Sequence, residues 1–156
     1  INEGELQQIG TVEEIWNHPA NKFVAYFVGE PTMSFLPGKV ESPWTIVIPC
    51  SQGERVFSLE SPVDQKYAGK MVTIGVRPQQ IEISREKNRE NTIQGIVKII
   101  EFQGDKTILT VKLEDEPESE VKVVVSAQEK YSEGEVVWLY FAPQIIHLFI
   151  DDVSIL

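Results

Sequence analysis

The sequence predicts a mainly β fold: two small OB-type β-barrel units preceded by a short helical connector. Three observations predict it. Helix-forming signals are concentrated in residues 10–31, "GTVEEIWNHPANKFVAYFVGEP". From Met33 onward the apolar residues switch to a period of two, the spacing that places alternate side chains on one face of a strand. A stretch near the middle of the chain then recurs near its end. The expected units are residues 1–32, a leading segment with the connector; 33–91, a first β unit closed by a charged loop; and 92–156, a second β unit.

Residues 1–10, "INEGELQQIG", read as a hairpin, with turn residues at Asn2-Glu3-Gly4-Glu5 and a short strand over Leu6–Ile9. A lone two-stranded hairpin is marginal in water. This one is expected to be mobile, or paired with a neighbouring molecule, unless its sheet is supplied elsewhere. Ile1 stands where a complete chain has Met, so a cut piece of something longer is expected. Thr11 and Glu14 then form a T-x-x-E capping box for a first helix, which Pro19 stops. Pro19 suits the first turn of a second helix. Ala20, Phe23, Val24 and Phe27 recur at i, i+3, i+4, i+7 as its apolar stripe, with Gly29 as C-cap and Pro31 as stop.

The first strand series is expected at Ser34–Leu36, Val40, Trp44–Ile48, Arg55–Leu59, Met71–Val76 and Ile81–Ile83. "SREKNREN", residues 84–91, is a charged loop without an apolar side chain. The second series is expected at Thr92–Phe102, Thr107–Leu113, Val121–Ser126, Val136–Phe141 and Ile145–Ile150. In the second of these, Leu109, Val111 and Leu113 alternate with Thr110 and Lys112, as in a half-buried strand. The repeat pairs "QKYAGKMVTIGVRPQQIEI" (65–83) with "EKYSEGEVVWLYFAPQIIHLF" (129–149): Lys-Tyr, then Gly, then a β-rich run, then Pro-Gln. Each proline should mark a strand end, since it cannot donate to a ladder. Five short strands per unit is the count of an OB-type barrel.

Composition narrows the function. The chain has 156 residues, 42% of them hydrophobic, and a formal charge of −10. No apolar run approaches the roughly 20 residues that span a bilayer. The charge argues against a nucleic-acid partner, which needs clustered Lys and Arg. Glu114, Asp115, Glu116, Glu118 and Glu120, around Pro117, read as a solvated hairpin tip, lacking the ligand spacing and turn glycine of a calcium loop. Cys50 is the single cysteine, which excludes an internal disulfide and fits a reducing compartment; it reads as a small apolar filler. Trp16, Trp44 and Trp138 are scattered and read as core. His18 and His147 with one cysteine are too few for a zinc site without carboxylates. No phosphate-cradling G-x-x-x-x-G-K-[ST], no G-x-G-x-x-G and no G-x-S-x-G occurs. No catalytic, metal or cofactor-binding residue is expected in this chain.

"GELQQIGTVEEIWNHPANKFVAYFVGEPTMSFLPGKV" resembles the segment that follows the nucleotide-binding domain in ATP-binding subunits of ABC importers of the sugar class, which includes maltose and glycerol-3-phosphate transporters. That family reads approximately G-x-x-x-Q-x-G-T-P-x-E-x-Y-x-x-P-A-N-x-F-V-A-x-F-I-G-x-P-x-M-N-F-L. Val12, Trp16, Val28 and Ser34 stand here where it has Pro, Tyr, Ile and Asn. "TIGVRPQQIEI" resembles its x-x-G-[IV]-R-P-E-x-[IL] strand, with Gln79 for Glu, and "HLFID" its closing H-L-F-[DE]. The resemblance implies a non-catalytic regulatory domain, TOBE or MOP-like, built from two OB-type units. It also implies that residues 1–10 end an ATPase domain whose ATP and Mg²⁺ site lies upstream. The implied partners are a second copy of the subunit, that ATPase domain and membrane permease subunits, at the cytoplasmic face of the membrane. An oxyanion-sensing role, with a ligand such as molybdate, is the alternative that related two-barrel modules imply. By the same resemblance His147, Leu148 and Phe149 fall where the family places regulatory-domain contacts. Phe149 reads equally as such a contact or as filling of the second barrel.

Overall fold

The computed structural model describes residues 1–50, 53–113 and 119–156, and of Cys50 only the backbone. The acidic run from Glu114 to Glu118 and the Cys50 side chain, both singled out above, lie outside the described residues.

The front of the chain forms a tight turn rather than a hairpin. Asn2 and Glu5 exchange backbone hydrogen bonds at 2.8 Å, and Leu6–Ile9 forms no strand. The side chains of Gln7 and Gln8 instead tie the segment to the connector. Gln8 accepts from the Ala20 amide at 2.8 Å and donates to the His18 carbonyl at 3.0 Å, while Gln7 accepts from Asn21 Nδ2 at 2.9 Å. A first helix, α1, spans Val12–Asn17 and opens on the expected capping box. Thr11 Oγ1 accepts from the Glu14 amide at 3.1 Å and the Glu14 carboxylate accepts from the Thr11 amide at 2.7 Å. These bonds hold the Glu14 carboxyl below the usual carboxylate range.

The second helix, α2, spans Lys22–Phe27 and starts later than Pro19 suggests. Asn21 caps it, its Oδ1 accepting from the Val24 amide at 2.9 Å, and Ala20 stays outside. Of the expected stripe only Val24 is buried, and its buried neighbour is Ala25. Under two turns long, α2 seats only that pair. Phe23 and Phe27 stack on each other at 5.7 Å, and Phe27 is 75% exposed.

Eleven strands follow among the described residues: β1 (Ser34–Ser42), β2 (Thr45–Cys50), β3 (Gly53–Ser58), β4 (Met71–Val76), β5 (Glu82–Ser84), β6 (Thr92–Phe102), β7 (Lys106–Leu113), β8 (Glu120–Ser126), β9 (Val136–Tyr140), β10 (His147–Ile150) and β11 (Val153–Ser154). β1 runs unbroken through Pro37-Gly38, where a gap was expected. Its ladder with β2 begins only at Lys39 opposite Val47, so Pro37 has no donor to supply on that side. Gly38 is required by close approach: a Cβ there would sit 3.2 Å from the Val47 carbonyl oxygen and within 3.0 Å of the Ile74 side chain.

All pairings are antiparallel. One sheet has the order β11-β10-β4-β1-β2-β3, the other β5-β9-β6-β7-β8. The sheets therefore do not follow the sequence-order units 33–91 and 92–156. β5 leaves the first half for the second sheet, and β10 and β11 leave the second half for the first. The prolines explain the crossing. Pro78 follows β4 in a turn closed by Gln80 N–H to the Arg77 carbonyl at 3.0 Å, and Pro143 opens a 3-10 turn, Pro143–Ile145, after β9. Each ends its ladder, and the next strand lands on the opposite sheet.

The sequence repeat is a structural one. Ile83 pairs with Leu139 and Leu148 with Ile74. Ile74 and Leu139 lie 65 positions apart, as do Ile83 and Leu148. Gly69 and Gly134, at φ of +78° and +84°, both donate at 2.8 Å to a valine carbonyl, of Val40 and Val97 respectively. Both sheets contribute to one continuous core, in which Phe57 and Phe141 stack at 5.4 Å. β7 is buried on both faces over Thr107–Val111, including Thr110.

Candidate functional site at the connector seat

The site is built where α1 and α2 rest on the end of β4 and on β10. Arg77, just past β4, is 1% exposed. Its guanidinium donates to the carbonyls of Val28 at 2.7 Å, Trp16 at 2.9 Å and Ala25 at 3.4 Å. It also lies 4.0 Å over the Trp16 ring, a cation–π contact. All three carbonyls lie at the C-terminal ends of the two helices, where carbonyl groups without helical partners carry partial negative charge. Burying a cation is costly, and these contacts offset the loss of water. Desolvation still pushes the guanidinium down to about 10, so it remains charged at neutral pH. Its Nε has no partner among the described residues. Gln79 adds a second tie, donating to the Glu30 carbonyl at 2.9 Å.

Gly29 completes the seat. It has φ +116°, and a Cβ there would lie 3.0 Å from the Trp16 ring and 3.3 Å from an Arg77 nitrogen. Gly75 does the same beneath, where a Cβ would lie 2.5 Å from Met33 Sδ and 3.0 Å from the Phe149 ring.

The three residues singled out in the sequence lie along β10, beside the seat. His147 pairs with Gly75, Leu148 with Ile74 and Phe149 with Thr73. Leu148 is fully buried in the common core. Phe149, 1% exposed, packs with Ala25 and Met33 and meets Phe35 edge-on at 6.0 Å. Phe149 thus fills neither the second barrel nor a free surface; it is the floor of the connector seat. His147 is half-buried. Desolvation, reinforced by the neighbouring Arg77 and His18, pushes its imidazole down to about 4, so it is neutral at pH 7. His147 and His18 both line a cavity of about 110 Å³ together with Glu60 and Gln144. Among the described residues no three His, Cys, Asp or Glu side chains converge as a metal-binding group.

Sequence reasoning missed Arg77 and misplaced Trp16. Arg77 could have been found as the one charged residue directly following the apolar run "MVTIGV" before a strand-ending proline. Trp16, read as core, is half-buried and serves as the platform for Arg77.

The comparisons agree with this architecture. Residues 74–149 match the family described as the TOBE domain. The chain is 31% identical over 156 residues to the "sn-glycerol-3-phosphate import ATP-binding protein UgpC" of Shigella sonnei, and 30% identical over 152 residues to that of Escherichia coli K12; 96% of this chain and 40% of each relative are covered. It is 32% identical to a "putative ATP-binding protein" of Brucella abortus over 149 residues, covering 96% of this chain and 39% of that one. The chain thus spans about two fifths of the length of these relatives. Among solved structures, the cytoplasmic molybdate-binding protein ModG superposes with a TM-score of 0.53 at 17% identity, covering 73% of this chain and 93% of that one. That likeness is one of fold and lends the oxyanion alternative no further support. No helix among the described residues is long and apolar enough to cross a membrane. Residues 74–149 thus match the TOBE domain, in a chain similar over nearly its whole length to import ATP-binding proteins of the glycerol-3-phosphate type.

Proposed function

We propose that the chain is the regulatory and dimerisation module of the ATP-binding subunit of a carbohydrate-type ABC importer, with no catalytic site or cofactor of its own. ATP and Mg²⁺ belong, on this reading, to the nucleotide-binding domain upstream, and the subunit meets its permease through that domain. The observation that carries the proposal is the connector seat. The two short helices that would lead from an ATPase domain are bonded into the β module through Arg77, so a movement of one is passed to the other.

The second partner is another copy of the chain. An isologous contact between two such modules keeps the ATPase domains close when they separate, at an effective concentration that can reach millimolar. The burial of Leu148 and Phe149 limits what β10 offers such a contact to its two half-exposed ends, His147 and Ile150, with the buried pair supporting them from inside. Light scattering of the purified chain between micromolar and millimolar concentration tests this: a reversible dimer supports it, and a strict monomer at the highest concentration counts against it. ATP turnover by the chain alone, in the presence of Mg²⁺, would contradict the non-catalytic reading.

A further inference from the structure

The two halves complete each other reciprocally. β5 of the first half lies beside β9, and β10 of the second half lies beside β4, in the same relative register. Neither sheet is whole without a strand from the other half. The segment that joins the halves in sequence is the run from Arg85 to Asn91, between β5 and β6. These two strands flank β9 on opposite sides, so the joining segment must cross over β9.

It crosses as a zipped strap. Arg85 lies 4.5 Å over the Tyr131 ring, Lys87 5.8 Å over Trp138 and Arg89 3.5 Å over Tyr140. Alternate residues of the strap thus meet aromatic rings on β9 and on the turn before it. Two ion pairs fix the outer cations: Arg85 Nε with Glu135 at 2.6 Å, and Arg89 with Glu82. Arg85 also donates to the Lys130 carbonyl, and Asn91 ends the strap by bonding Ser58 and the Phe141 carbonyl. Exposed ion pairs alone add little. Each stacked cation adds a modest attraction of its own, so three in register are significant together.

We infer that this strap keeps the strand exchange within one chain, and that the partner it excludes is a second copy entering by the same strands. The seven residues 85–91, fully extended, span roughly 24 Å. Straightened, they let the first half of one copy close on the second half of another, each sheet being completed as it is in the monomer. The closed and the exchanged forms then differ only in the strap, because an extended strap cannot fold back over β9. Hinge segments of this kind govern domain swapping.

The test compares the chain with a variant carrying Arg85→Ser, Lys87→Ser and Arg89→Ser. Both are held at about 0.5 mM near the midpoint of urea unfolding, returned to buffer, diluted to low micromolar and run on size exclusion with light scattering. The variant should show at least a tenfold larger dimer fraction, in a dimer that persists for hours after dilution. Equal dimer fractions, or a variant dimer that dissociates within minutes, would overturn the inference. Arg89→Ser alone is the milder second variant; its far-UV circular dichroism should match the parent chain, and its dimer yield should fall between the two. The side-by-side dimer proposed above re-equilibrates on dilution, so the two associations are told apart by their lifetime.

Discussion

The guanidinium of Arg77 lies 4.0 Å over the ring of Trp16, joining the residue after β4 to a helix sixty-one positions earlier in the chain. With the carbonyls of Trp16, Ala25 and Val28 it makes the connector part of the β module. Arg77→Met keeps the apolar stem but leaves those carbonyls without their donor. Its expected cost is about 3 kcal/mol, the order seen when one partner of a buried polar cluster is removed. Urea unfolding checks this. Trp16 fluorescence, read in a background of Trp44→Phe and Trp138→Phe, should shift to the solvent-exposed range before the sheets unfold. Arg77→Lys recovers the charge but neither the fork nor the flat stacking surface, and should recover less than half of the loss.

Gly29→Ala tests the same seat from its other side. The backbone there is in a region that disfavours a Cβ, and the added carbon would press on Trp16 and Arg77. A loss of about 1–3 kcal/mol is expected by thermal or urea unfolding. A smaller loss would mean that the Trp16 ring gives way, and the fluorescence of that ring would report it.

His147 gives the module a pH dependence whose sign is fixed. Its folded-state pKa, about 4, lies below its ordinary value of 6.5, so the unfolded chain binds the proton more tightly. The stability it contributes is present above pH 6.5 and is lost as pH falls from 6.5 towards 4. At about 1.4 kcal/mol per pKa unit, the loss over that window is on the order of 2–3 kcal/mol. In His147→Gln, the part of the pH slope of urea stability due to this residue should vanish between pH 6.5 and 4.5.

Phe149→Ala separates core from contact. As the floor of the connector seat, its truncation should cost about 3–5 kcal/mol of stability in the monomer. A variant of undiminished stability with weakened dimerisation would instead return Phe149 to the role of an interface residue.

Much of the architecture was legible because local chemistry decides it. The capping box at Thr11 and Glu14, the period-two runs and the glycines at positive φ act within a few residues, and they appear where the residue pattern puts them. The exchange of β5 and β10 was not legible, since nothing in "QIEIS" or "HLFI" encodes which sheet receives it; only the matched turns at Pro78 and Pro143 aim the chain across. The start of α2 was missed because the side-chain cap of Asn21 outcompetes Pro19 as the opening signal. At the site, His147, Leu148 and Phe149 were singled out, but their burial depends on what α2 and Met33 lay over them. Arg77 was invisible as an anchor because its partners are backbone carbonyls, which every residue carries. The strap read as a charged loop, since its cations and their aromatic partners lie too far apart in the chain to leave a local pattern.

The central expectation is that connector helices and β module form one cooperative body, and its sharpest check is hydrogen exchange of the Ala25 and Val28 amides, which donate at 3.1 Å to the carbonyls of Asn21 and Val24 at the start and the end of α2. In the intact chain they should exchange only with β4, at the free energy of global unfolding, and Arg77→Met should release them while β4 stays protected. Exchange of these amides well ahead of β4 in the unaltered chain would show that the connector opens on its own, and the cooperative body would not exist.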